Sequence, residues 1–379
     1  MNRLNMRIAI LGAGPAGLYL GFLIKRRGGA DVTIIEQNPA DATFGFGVVF
    51  SDRALEFLRE DDEQTYAAIV PHMESWSDIA LVLRGERIVI DGVGFAAIGR
   101  LKLLQLLQES ARSVGVALVY RRAVKSLDEL DGFDLVVGAD GVNSLVRRSH
   151  ATEFGASVDY LTNRFAWFGT TRRFETLTQT FIKTELGSFN AHHYRFTPEL
   201  STFIVEVDRA TFERAGFAAM SEVETRTSCE RVFAEALDGH ALISNNSIWR
   251  QFPLVHNARW SHGNRVLIGD ALHTAHFSIG SGTRLAMQDA IALDKALVAQ
   301  PRDLGAALAA YEAARRPILE KLVAGANDSA QWYEHFAEHM ALKPVDFAMS
   351  YITRSGRIDL ERLRKFSPQF VARYERERA

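Results

Sequence analysis

Apolar runs and helical spacing alternate over the first forty residues. Arg7–Leu11 is a short apolar run that ends in glycines, Leu18–Arg27 has helical spacing, and Val32–Ile35 is a second apolar run. Short apolar runs bounded by glycine are typical of buried strands. The chain is therefore expected to begin with a strand, a helix and a second strand.

The sequence from residue 52 to residue 137 predicts two helices and further strands. Asp52–Tyr66 and Arg100–Val114 have helical spacing, whereas Ile79–Ile90 alternates as an antiparallel strand pair does. Val116–Tyr120 and Leu135–Val137 are apolar runs that we expect to extend the first sheet.

A second sheet is predicted further along. Arg164–Val207 is rich in β-branched and aromatic residues, which favours a separate antiparallel sheet. Arg265–Ile268 is a short apolar run like those of the first strands, and we expect it to belong with them. We therefore predict an α/β architecture in which the second sheet is inserted into a discontinuous nucleotide-binding domain. The predicted divisions are 1–75, 98–155 and 258–300 for the nucleotide-binding domain, 76–97 and 156–257 for the inserted domain, and 301–379 for a C-terminal helical segment.

Composition narrows the classes of function. The chain has 379 residues, enough for two interlocked domains, and its formal net charge of -2 gives no indication of a nucleic-acid partner. Cys229 is the single cysteine, which excludes an internal disulfide, a Cys-x-x-Cys pair and a thiolate metal cluster. Glycines and a proline interrupt the apolar stretch Ile8–Ile24, which disfavours a membrane span or a signal peptide. We expect a cytoplasmic protein without a membrane partner.

The first motif is a glycine-rich turn between the predicted strand and helix, reading GAGPAG at 12–17. Gly12 permits the tight turn, Gly14 lets the backbone approach a pyrophosphate, and Gly17 lets the helix pack closely on the strand. Glu36 ends the second strand, where an acid can hydrogen-bond an adenosine ribose. The predicted dinucleotide-binding residues of this part are Gly12, Gly14, Pro15, Ala16, Gly17, Glu36 and Gln37.

Two later motifs also place a carboxylate where a strand ends. Asp134–Arg148 contains GADG, which by itself is equally consistent with a simple strand-to-loop turn, and Val266–Gly282 contains GDALH followed by glycines that begin a helix. A carboxylate at a strand end can hold a ribityl hydroxyl, and a helix start can face a flavin carbonyl. The cofactor-binding candidates here are Asp140, Gly269, Asp270, Gly280, Gly282 and Thr283.

The three motifs, in this order, resemble those of the group A flavoprotein aromatic monooxygenases. The resemblance spans the whole chain and implies the para-hydroxybenzoate hydroxylase fold, with a Rossmann-like FAD-binding domain, an inserted substrate domain and C-terminal helices. It implies that Asp140 lies near the FAD pyrophosphate, that Asp270 binds the ribityl chain, and that Arg100 lies near the FAD phosphates.

Departures from the common pattern narrow the resemblance. His276 and Phe277 stand where paired prolines are usual, and Thr283 and Arg284 stand where asparagine is usual. The run HTAHFSIGSGTRLAMQDAIAL, with FGFGVVFSD, STFIVE and YITRSGRI, resembles the monooxygenase part of salicylyl-CoA 5-hydroxylases and 2-aminobenzoyl-CoA monooxygenases. The violacein-pathway hydroxylases are more distantly similar. Longer members of the acyl-CoA group carry a second reductase domain, so hydroxylation without ring reduction is expected here.

The resemblance also implies a reaction. NADH or NADPH would bind transiently and reduce FAD, and O2 would then form a C4a-hydroperoxyflavin that hydroxylates a small aromatic substrate, possibly a CoA thioester. A second dinucleotide fingerprint is absent from the sequence, which disfavours the two-dinucleotide disulfide reductases. A homodimer is one assembly that would suit such an enzyme.

His192 and His276 are the catalytic candidates. His192 shares one strand face with Tyr194, and His276 precedes the residues expected beside the flavin ring. An imidazole near a phenol or aniline can accept its proton. A hydrogen-bonded structural role explains either histidine equally well.

Apolar and aromatic residues supply the substrate-binding candidates, which are Phe46, Val48, Trp167, Tyr194 and Phe277, with Trp249 as a further pocket residue. Strand aromatics more often form core. Arg172 and Arg173 could meet a CoA phosphate or lie in solvent. His335–His339 fits the H-x-x-E-H metal pattern, but no third ligand is indicated, and no metal is expected.

Other classes of flavoprotein remain open at this point. A non-catalytic FAD protein, an amine oxidase or a geranylgeranyl-type reductase uses similar FAD segments without inserting oxygen into its substrate. A hydroxylase of a free indole compound is the nearest competitor within the hydroxylases.

Overall fold

A computed structural model describes residues 6–51 and 55–378. Its strands are β1 (Arg7–Leu11), β2 (Asp31–Ile35), β3 (Gly47–Ser51), β4 (Glu74–Trp76), β5 (Ile79–Leu83), β6 (Glu86–Ile90), β7 (Phe95–Gly99), β8 (Ala117–Val119), β9 (Leu135–Gly138), β10 (Ala156–Thr170), β11 (Leu177–Thr184), β12 (Gly187–Arg195), β13 (Ser201–Val207), β14 (Leu242–Ile243), β15 (Arg250–Asn257), β16 (Ser261–His262) and β17 (Arg265–Leu267). Its α-helices are α1 (Pro15–Arg26), α2 (Glu56–Asp61), α3 (Glu63–Ile69), α4 (Arg100–Ser113), α5 (Leu145–Ser149), α6 (Ala151–Phe154), α7 (Arg209–Ala215), α8 (Glu222–Val232), α9 (Ala234–Leu237), α10 (Gly282–Ala299), α11 (Leu304–Glu334), α12 (Phe336–His339), α13 (Pro344–Thr353), α14 (Leu360–Phe366) and α15 (Pro368–Arg378).

The first sheet has the strand order β16-β17-β9-β1-β2-β8, and its neighbours are parallel except for the pair β16 and β17. Ile8, Ala9 and Ile10 of β1 are completely buried, as expected for the centre of a parallel sheet that is covered on both faces. The predicted strands at the start of the chain, near 116–120, near 135–137 and near 265–268 are therefore confirmed as members of one sheet.

The second sheet has the order β14-β10-β13-β12-β11-β5-β6, with β15 beside β10. Its pairs are antiparallel, as predicted, except that β11 runs parallel to β5. This exception arises because β5 and β6 form a hairpin that comes from a distant part of the sequence and joins the sheet at β11. A smaller sheet has the strand order β3-β7-β4, and its pairs β3 with β7 and β4 with β7 are antiparallel.

Helices cover both faces of the second sheet. One face packs its aromatic residues against α7, α8 and α9, and the other packs Phe181 against Trp332, Phe336 and Phe347 of the C-terminal helices. The fold is the α/β arrangement predicted, with helices that follow residue 300 closing one side of the inserted sheet. The residue numbers of the domain boundaries stay predictions.

The helix predicted for Asp52–Tyr66 is two helices, and its first three residues lie outside the described part of the chain. The break occurs at Asp62, whose side chain accepts a hydrogen bond from the Thr65 amide as the N-cap of α3 and also receives the Arg26 guanidinium at 2.7 Å. A buried acid that caps a helix and pairs with an arginine in α1 thus overrides the continuous helical pattern. Among the residues that the structure describes, no helix has the length and apolarity needed to cross a membrane.

Candidate active site

The glycine-rich turn has the geometry that its sequence predicts. Gly12 has φ +100°, and a Cβ atom at this position would lie 2.2 Å from the carbonyl oxygen of Ala139. A Cβ at Gly17 would lie 2.1 Å from the Gly12 carbonyl oxygen, whereas a Cβ at Gly14 would meet nothing within 4 Å. Gly12 and Gly17 therefore allow close packing of strand, turn and helix, and Gly14 borders open space at the start of α1.

The three motifs that are far apart in sequence converge at this turn. The Gly12 turn packs on Ala139 of the second motif, and a Cβ at Gly269 of the third motif would lie 3.2 Å from the Ala16 methyl group. Buried Arg147 joins the second and third motifs, because its guanidinium donates to the carbonyl oxygens of Ala271, at 2.9 Å, and of Val142. The sequence reasoning did not assign a role to Arg147.

Glu36 lies at the end of β2 beside the glycine turn. Its carboxylate accepts hydrogen bonds from the Ala13 amide at 2.9 Å and from both the backbone and side-chain nitrogens of Asn38 at 2.8 Å. These donors fix the carboxylate in place. Oε1 accepts both hydrogen bonds from Asn38, whereas Oε2 accepts the one from Ala13 and retains a lone pair for a further donor. Gln37 is exposed next to it.

The turn that carries Asp270 is held from behind by a buried ion cluster. Asp289 of α10 accepts hydrogen bonds from the Gly269 amide (3.1 Å), from Nε2 of His273 (2.6 Å) and from Nε of Arg315 (2.8 Å). Burial opposes ionisation of Asp289, but His273 and Arg315 outweigh it and lower the pKa of the carboxyl group. The cluster anchors the backbone of Gly269, which has φ +58°, and Asp270 follows it on the cavity wall.

Asp270 and Arg100 face each other across an internal cavity. The Asp270 side chain is accessible from the cavity although protein surrounds it, and this burial raises the pKa of its carboxyl group. Burial also lowers the pKa of Arg100 at the start of α4, against the opposing charge of Asp270. The two side chains thus provide one acidic and one basic group in a poorly hydrated space.

Asp140 lies beside the cavity rather than on its wall. Its Oδ2 accepts the Leu145 amide hydrogen at 2.6 Å, while Oδ1 is buried without a hydrogen-bond partner among the described residues. Burial raises the pKa of Asp140. Its neighbours Ala139, Gly141 and Val142 line the cavity, so the second motif contributes mainly backbone to the wall.

A single cavity of about 690 Å³ connects the convergent motifs with the second sheet. Predicted cofactor residues line one part of it, namely Gly14, Pro15, Ala16, Arg100, Gly269, Asp270, Gly280, Gly282 and Thr283. Predicted catalytic and substrate residues line the other part, namely Val48, Trp167, His192, Tyr194 and Phe277, together with Trp249. The volume lies within the roughly 300–1,000 Å³ that is usual for small-molecule sites.

The part of the cavity on the second sheet has an aromatic wall. Phe165 and Phe277 pack with ring centroids 4.9 Å apart, and the ring of His192 lies roughly parallel to Phe277 at 6.5 Å. The hydroxyl of Tyr194 donates to the Gly47 carbonyl oxygen at 2.9 Å, which fixes the start of β3 at the cavity edge. Sequence reasoning missed Phe165, although it alternates with Trp167 along β10 and so shares its face.

His192 presents an unpaired imidazole to the aromatic wall. Both of its ring nitrogens are buried without a hydrogen-bond partner in the described part of the chain. Burial, with a smaller contribution from Arg354, lowers the pKa of His192 to about 3, so the ring is neutral near pH 7. A neutral imidazole here can donate one hydrogen bond and accept another.

His276 does not line the cavity. Its Nδ1 bonds with the Ser278 hydroxyl at 2.8 Å, that hydroxyl contacts the Ser329 hydroxyl at 2.8 Å, and Arg354 donates to Ser329 at 2.9 Å. Burial lowers the pKa of His276 to about 3. The His276 ring therefore lies off the cavity wall, contrary to the expectation of a base there, because Ser278 of its own loop binds Nδ1 and Tyr333 of α11 packs beside the ring.

Phe46 also departs from its predicted place. Its ring packs against the backbone of Gly169, where a Cβ would lie 2.5 Å from the ring, and it does not line the cavity. The H-x-x-E-H residues lie apart from the cavity as well, where His335 contacts Glu338 at 3.3 Å and His339 stacks on Trp332 with ring centroids 4.9 Å apart.

The cavity residues fit FAD. The open space at Gly14 admits a phosphate to the start of α1, Arg100 supplies a cation, and Glu36 and Asp270 offer carboxylates to ribose and ribityl hydroxyls. The α10 helix begins at Gly282 on the cavity wall, which places a helix N-terminus where a flavin ring carbonyl can lie.

Comparison with known proteins agrees with this geometry. A family model described as an FAD binding domain matches residues 5–128 and 132–326. The chain belongs to this FAD-binding family. It is 43% identical over 361 residues to a salicyloyl-CoA 5-hydroxylase from Streptomyces sp, covering 92% of this chain and 70% of that protein.

Two further members extend the comparison. The chain is 36% identical to the 3-hydroxy-4-methyl-anthranilyl-[aryl-carrier protein] 5-monooxygenase of Streptosporangium sibiricum, covering 93% of this chain and 95% of that protein. Its fold is similar to that of a 2-methyl-3-hydroxypyridine-5-carboxylic acid oxygenase, with a TM-score of 0.73 at 17% identity, covering 93% and 96% of the two chains. The predicted resemblance to the flavoprotein aromatic monooxygenases is confirmed, and this member of the family is an FAD-dependent monooxygenase.

Proposed function

We propose that this monooxygenase uses NAD(P)H and O2 to hydroxylate the ring of an aromatic acyl thioester, with a CoA ester of a hydroxy- or aminobenzoate as the preferred substrate. The observation that carries the proposal is the continuous cavity in which FAD-binding residues and an aromatic wall meet. The names of both relatives support the substrate class, because each describes a hydroxylase of an aromatic acid held as a thioester.

Two arginines of the cavity lining could bind the CoA part of such a substrate, which carries the phosphates. Register places Phe165 opposite Arg250 and Arg164 opposite Gln251 on the paired strands β10 and β15. Arg164 and Arg250 both line the cavity, and neither forms an ion pair with an acid among the described residues. We propose that Arg250, which is exposed, meets the phosphates of CoA while the aromatic acid lies against Phe277.

FAD, once bound and reduced, activates O2 for transfer to the ring. The protein's own task is to hold the ring, exclude water and align the carbon that is hydroxylated. We propose that Trp167 and Phe277 hold the ring in the apolar part of the cavity. His192 hydrogen-bonds the ring's hydroxyl or amino substituent and so orients the ring, without carrying a charge of its own near pH 7.

The proposed contacts with the cofactor follow from the same placement of residues around the cavity. We propose that the Gly12–Gly17 turn, Arg100 and the Asp270 turn hold FAD, with Glu36 on the adenosine ribose. We also propose that residues 76–97 and 156–257 act as the substrate domain, since β10 and β12 supply Phe165, Trp167 and His192 to the cavity wall and β5 and β6 belong to the same sheet. Asp140 supports the pyrophosphate turn through its loop.

A substrate panel tests the proposed function. FAD-loaded protein is mixed separately with salicylyl-CoA, 2-aminobenzoyl-CoA, the two free acids and a tryptophan derivative, and NAD(P)H consumption and product mass are measured. We expect the thioesters to stimulate consumption and to gain the mass of one oxygen atom, derived from labelled O2. A response to the free acids alone would refute the thioester, and no oxygen gain with any aromatic compound would refute the hydroxylase.

A further inference from the structure

A second cavity, of about 760 Å³, lies against the second sheet and is separate from the FAD-binding cavity. Neighbouring residues of β12 divide the two spaces, because His192 lines the first cavity and His193 lines the second. Consecutive residues of a strand point to opposite faces of the sheet. The two cavities share no lining residue, so a ligand in the second cavity lies outside the FAD-binding cavity.

The lining of this second cavity is basic. Four basic side chains belong to it, namely those of Arg84, Arg87, Arg172 and Lys183, whereas Glu235 is the acidic residue of the lining. Arg172 pairs with Asp238 at 3.3 Å, and Arg84 donates to the carbonyl oxygens of Met340 and Leu342. Arg87 and Lys183 have no acidic partner within the ion pairs formed by residues 6–51 and 55–378, so the cavity keeps a positive balance.

Strand register explains how these groups come together. Arg87 of β6 lies opposite Val82 of β5, and Val82 lies opposite Thr180 of β11. Thr180 in turn contacts Nε2 of His193 at 2.9 Å. The cation and the imidazole thus belong to one face of four neighbouring strands, β6, β5, β11 and β12, beside the ends of α8 and α9.

Two buried nitrogen atoms of the lining residues lack partners. Nδ1 of His193 and Nε of Arg172 are buried and have no hydrogen-bond acceptor or donor opposite them in the described chain. His193 is 2% exposed and packs against Phe174 with ring centroids 3.9 Å apart. Burial, followed by the nearby His192, Arg87 and Arg172, lowers the pKa of His193. Unpaired polar atoms at a basic, partly aromatic cavity indicate that a ligand with acceptor oxygens belongs there.

We propose that this second cavity binds a small aromatic phosphate, with the phosphate at Arg87 and Arg172, the two cations beside His193, and the aromatic body against the apolar lining formed by Phe174 and Val82. Guanidinium and ammonium groups recognise phosphate oxygens, while the apolar lining favours a flat, uncharged body. Because the second cavity shares no lining residue with the FAD-binding cavity, the bound phosphate takes no part in hydride or oxygen transfer. The site is a binding site distinct from that of the substrate ring.

Binding to the full chain loaded with FAD tests the proposal. Isothermal titration compares ADP, 3′,5′-ADP, 2′,5′-ADP and phenyl phosphate with adenosine and inorganic phosphate, and released FAD is monitored to exclude exchange. We expect the aromatic phosphates to bind at one site per chain, about tenfold or more tightly than adenosine or inorganic phosphate. A preference for 3′,5′-ADP identifies coenzyme A as the source, and a preference for 2′,5′-ADP identifies NADP.

Paired substitutions locate the site. The double variant Arg87→Gln, Arg172→Gln removes two cations of the cavity lining, and Lys125→Gln, Lys321→Gln removes two exposed lysines elsewhere. We expect ADP affinity to fall about tenfold or more in the first variant and to stay unchanged in the second. The proposal is overturned if adenosine binds as tightly as ADP, if no aromatic phosphate binds, or if both double variants bind ADP like the unaltered protein.

Discussion

The guanidinium of Arg354 donates a hydrogen bond to the carbonyl oxygen of Ser278 at 2.8 Å. The same side chain donates to the Ser329 hydroxyl and to the Tyr351 carbonyl oxygen, at 2.9 and 2.6 Å. Arg354 therefore ties the C-terminal helices α11 and α13 to the loop that precedes α10. That loop carries Phe277 and Gly280, both of which line the FAD-binding cavity.

We predict that Arg354→Met weakens FAD binding by about tenfold, because hydrogen bonds from a charged donor contribute about 1.5–3 kcal/mol each. Flavin fluorescence during titration of the apoprotein measures the affinity. Arg357→Met makes the same chemical change three residues later on an exposed side chain and should leave FAD affinity nearly unchanged. Equal affinities for the two variants would show that the contact between Arg354 and the loop does not shape the FAD site.

Alanine substitutions at two glycines of the first motif are predicted to have different effects, one on the stability of the fold and the other on FAD binding. Gly17→Ala places a methyl group 2.1 Å from the Gly12 carbonyl oxygen and should destabilise the fold by several kcal/mol. Gly14→Ala meets no protein atom within 4 Å and has φ -75°, so the fold should keep its melting temperature while FAD binding is lost. Thermal unfolding and flavin content of the purified variants separate the two results. A stable Gly14→Ala protein with full flavin content would contradict the assignment of this space to the phosphates.

Local chemistry made part of this site predictable from the sequence. Gly12 and Gly269 adopt positive φ where a strand turns sharply, and only glycine does so readily, so the motif itself reports the conformation. The helix that starts at Arg100 and the helix that starts at Gly282 follow from spacing in the same way. These features depend on neighbours within a few residues.

Residues whose role depends on distant partners were not predictable. Arg147 reaches Ala271 across 124 positions, and no local pattern distinguishes it from exposed Arg148. His276 is expected beside the flavin because of its position in the loop, but its Nδ1 bonds with the Ser278 hydroxyl, which in turn contacts Ser329 of a later helix. Phe46 lies outside the cavity, and not in it as predicted, because Gly169 on β10 leaves room for its ring.

The proposed thioester contact predicts a selective loss in affinity. Arg250→Ala should raise KM for an aromatic CoA thioester about tenfold, because one cation is removed from the phosphates, and should leave kcat nearly unchanged. The corresponding pantetheine thioester without the nucleotide should show no such increase. Steady-state NAD(P)H oxidation with the two substrates measures both constants. An equal change in KM for both thioesters would contradict a contact between Arg250 and the CoA phosphates.

His192 is predicted to orient the ring rather than to carry charge. His192→Leu should lower the fraction of consumed NAD(P)H that yields hydroxylated product by about tenfold, consistent with loss of a hydrogen bond in a buried site. His240→Leu, on an exposed histidine, is the matched control and should keep the ratio of the unaltered enzyme. Product and peroxide are quantified from the same reaction. If the ratio stays unchanged in His192→Leu, the imidazole does not position the ring.

Glu206 of β13 predicts a pH dependence of stability. Burial raises the pKa of its carboxyl group from 4.5 to about 8, partly opposed by the hydrogen bond from the Asn163 side chain at 2.9 Å. Since the folded state binds this proton more tightly than the unfolded state, the contribution is complete below about pH 4.5 and is lost as pH rises to about 8. The slope in that interval is at most about 1.4 kcal/mol per pH unit.

Glu206→Gln should remove this slope, because the amide is uncharged throughout and can still accept the Asn163 hydrogen bond. Urea unfolding at several pH values between 5 and 8 measures the free energy of unfolding for both proteins. Exposed Glu199→Gln serves as the control and should follow the unaltered protein. The difference between Glu206→Gln and the unaltered protein is expected to grow with pH in favour of the glutamine variant. A difference that is constant with pH would mean that Glu206 is already ionised in the folded protein and that another group must neutralise its charge.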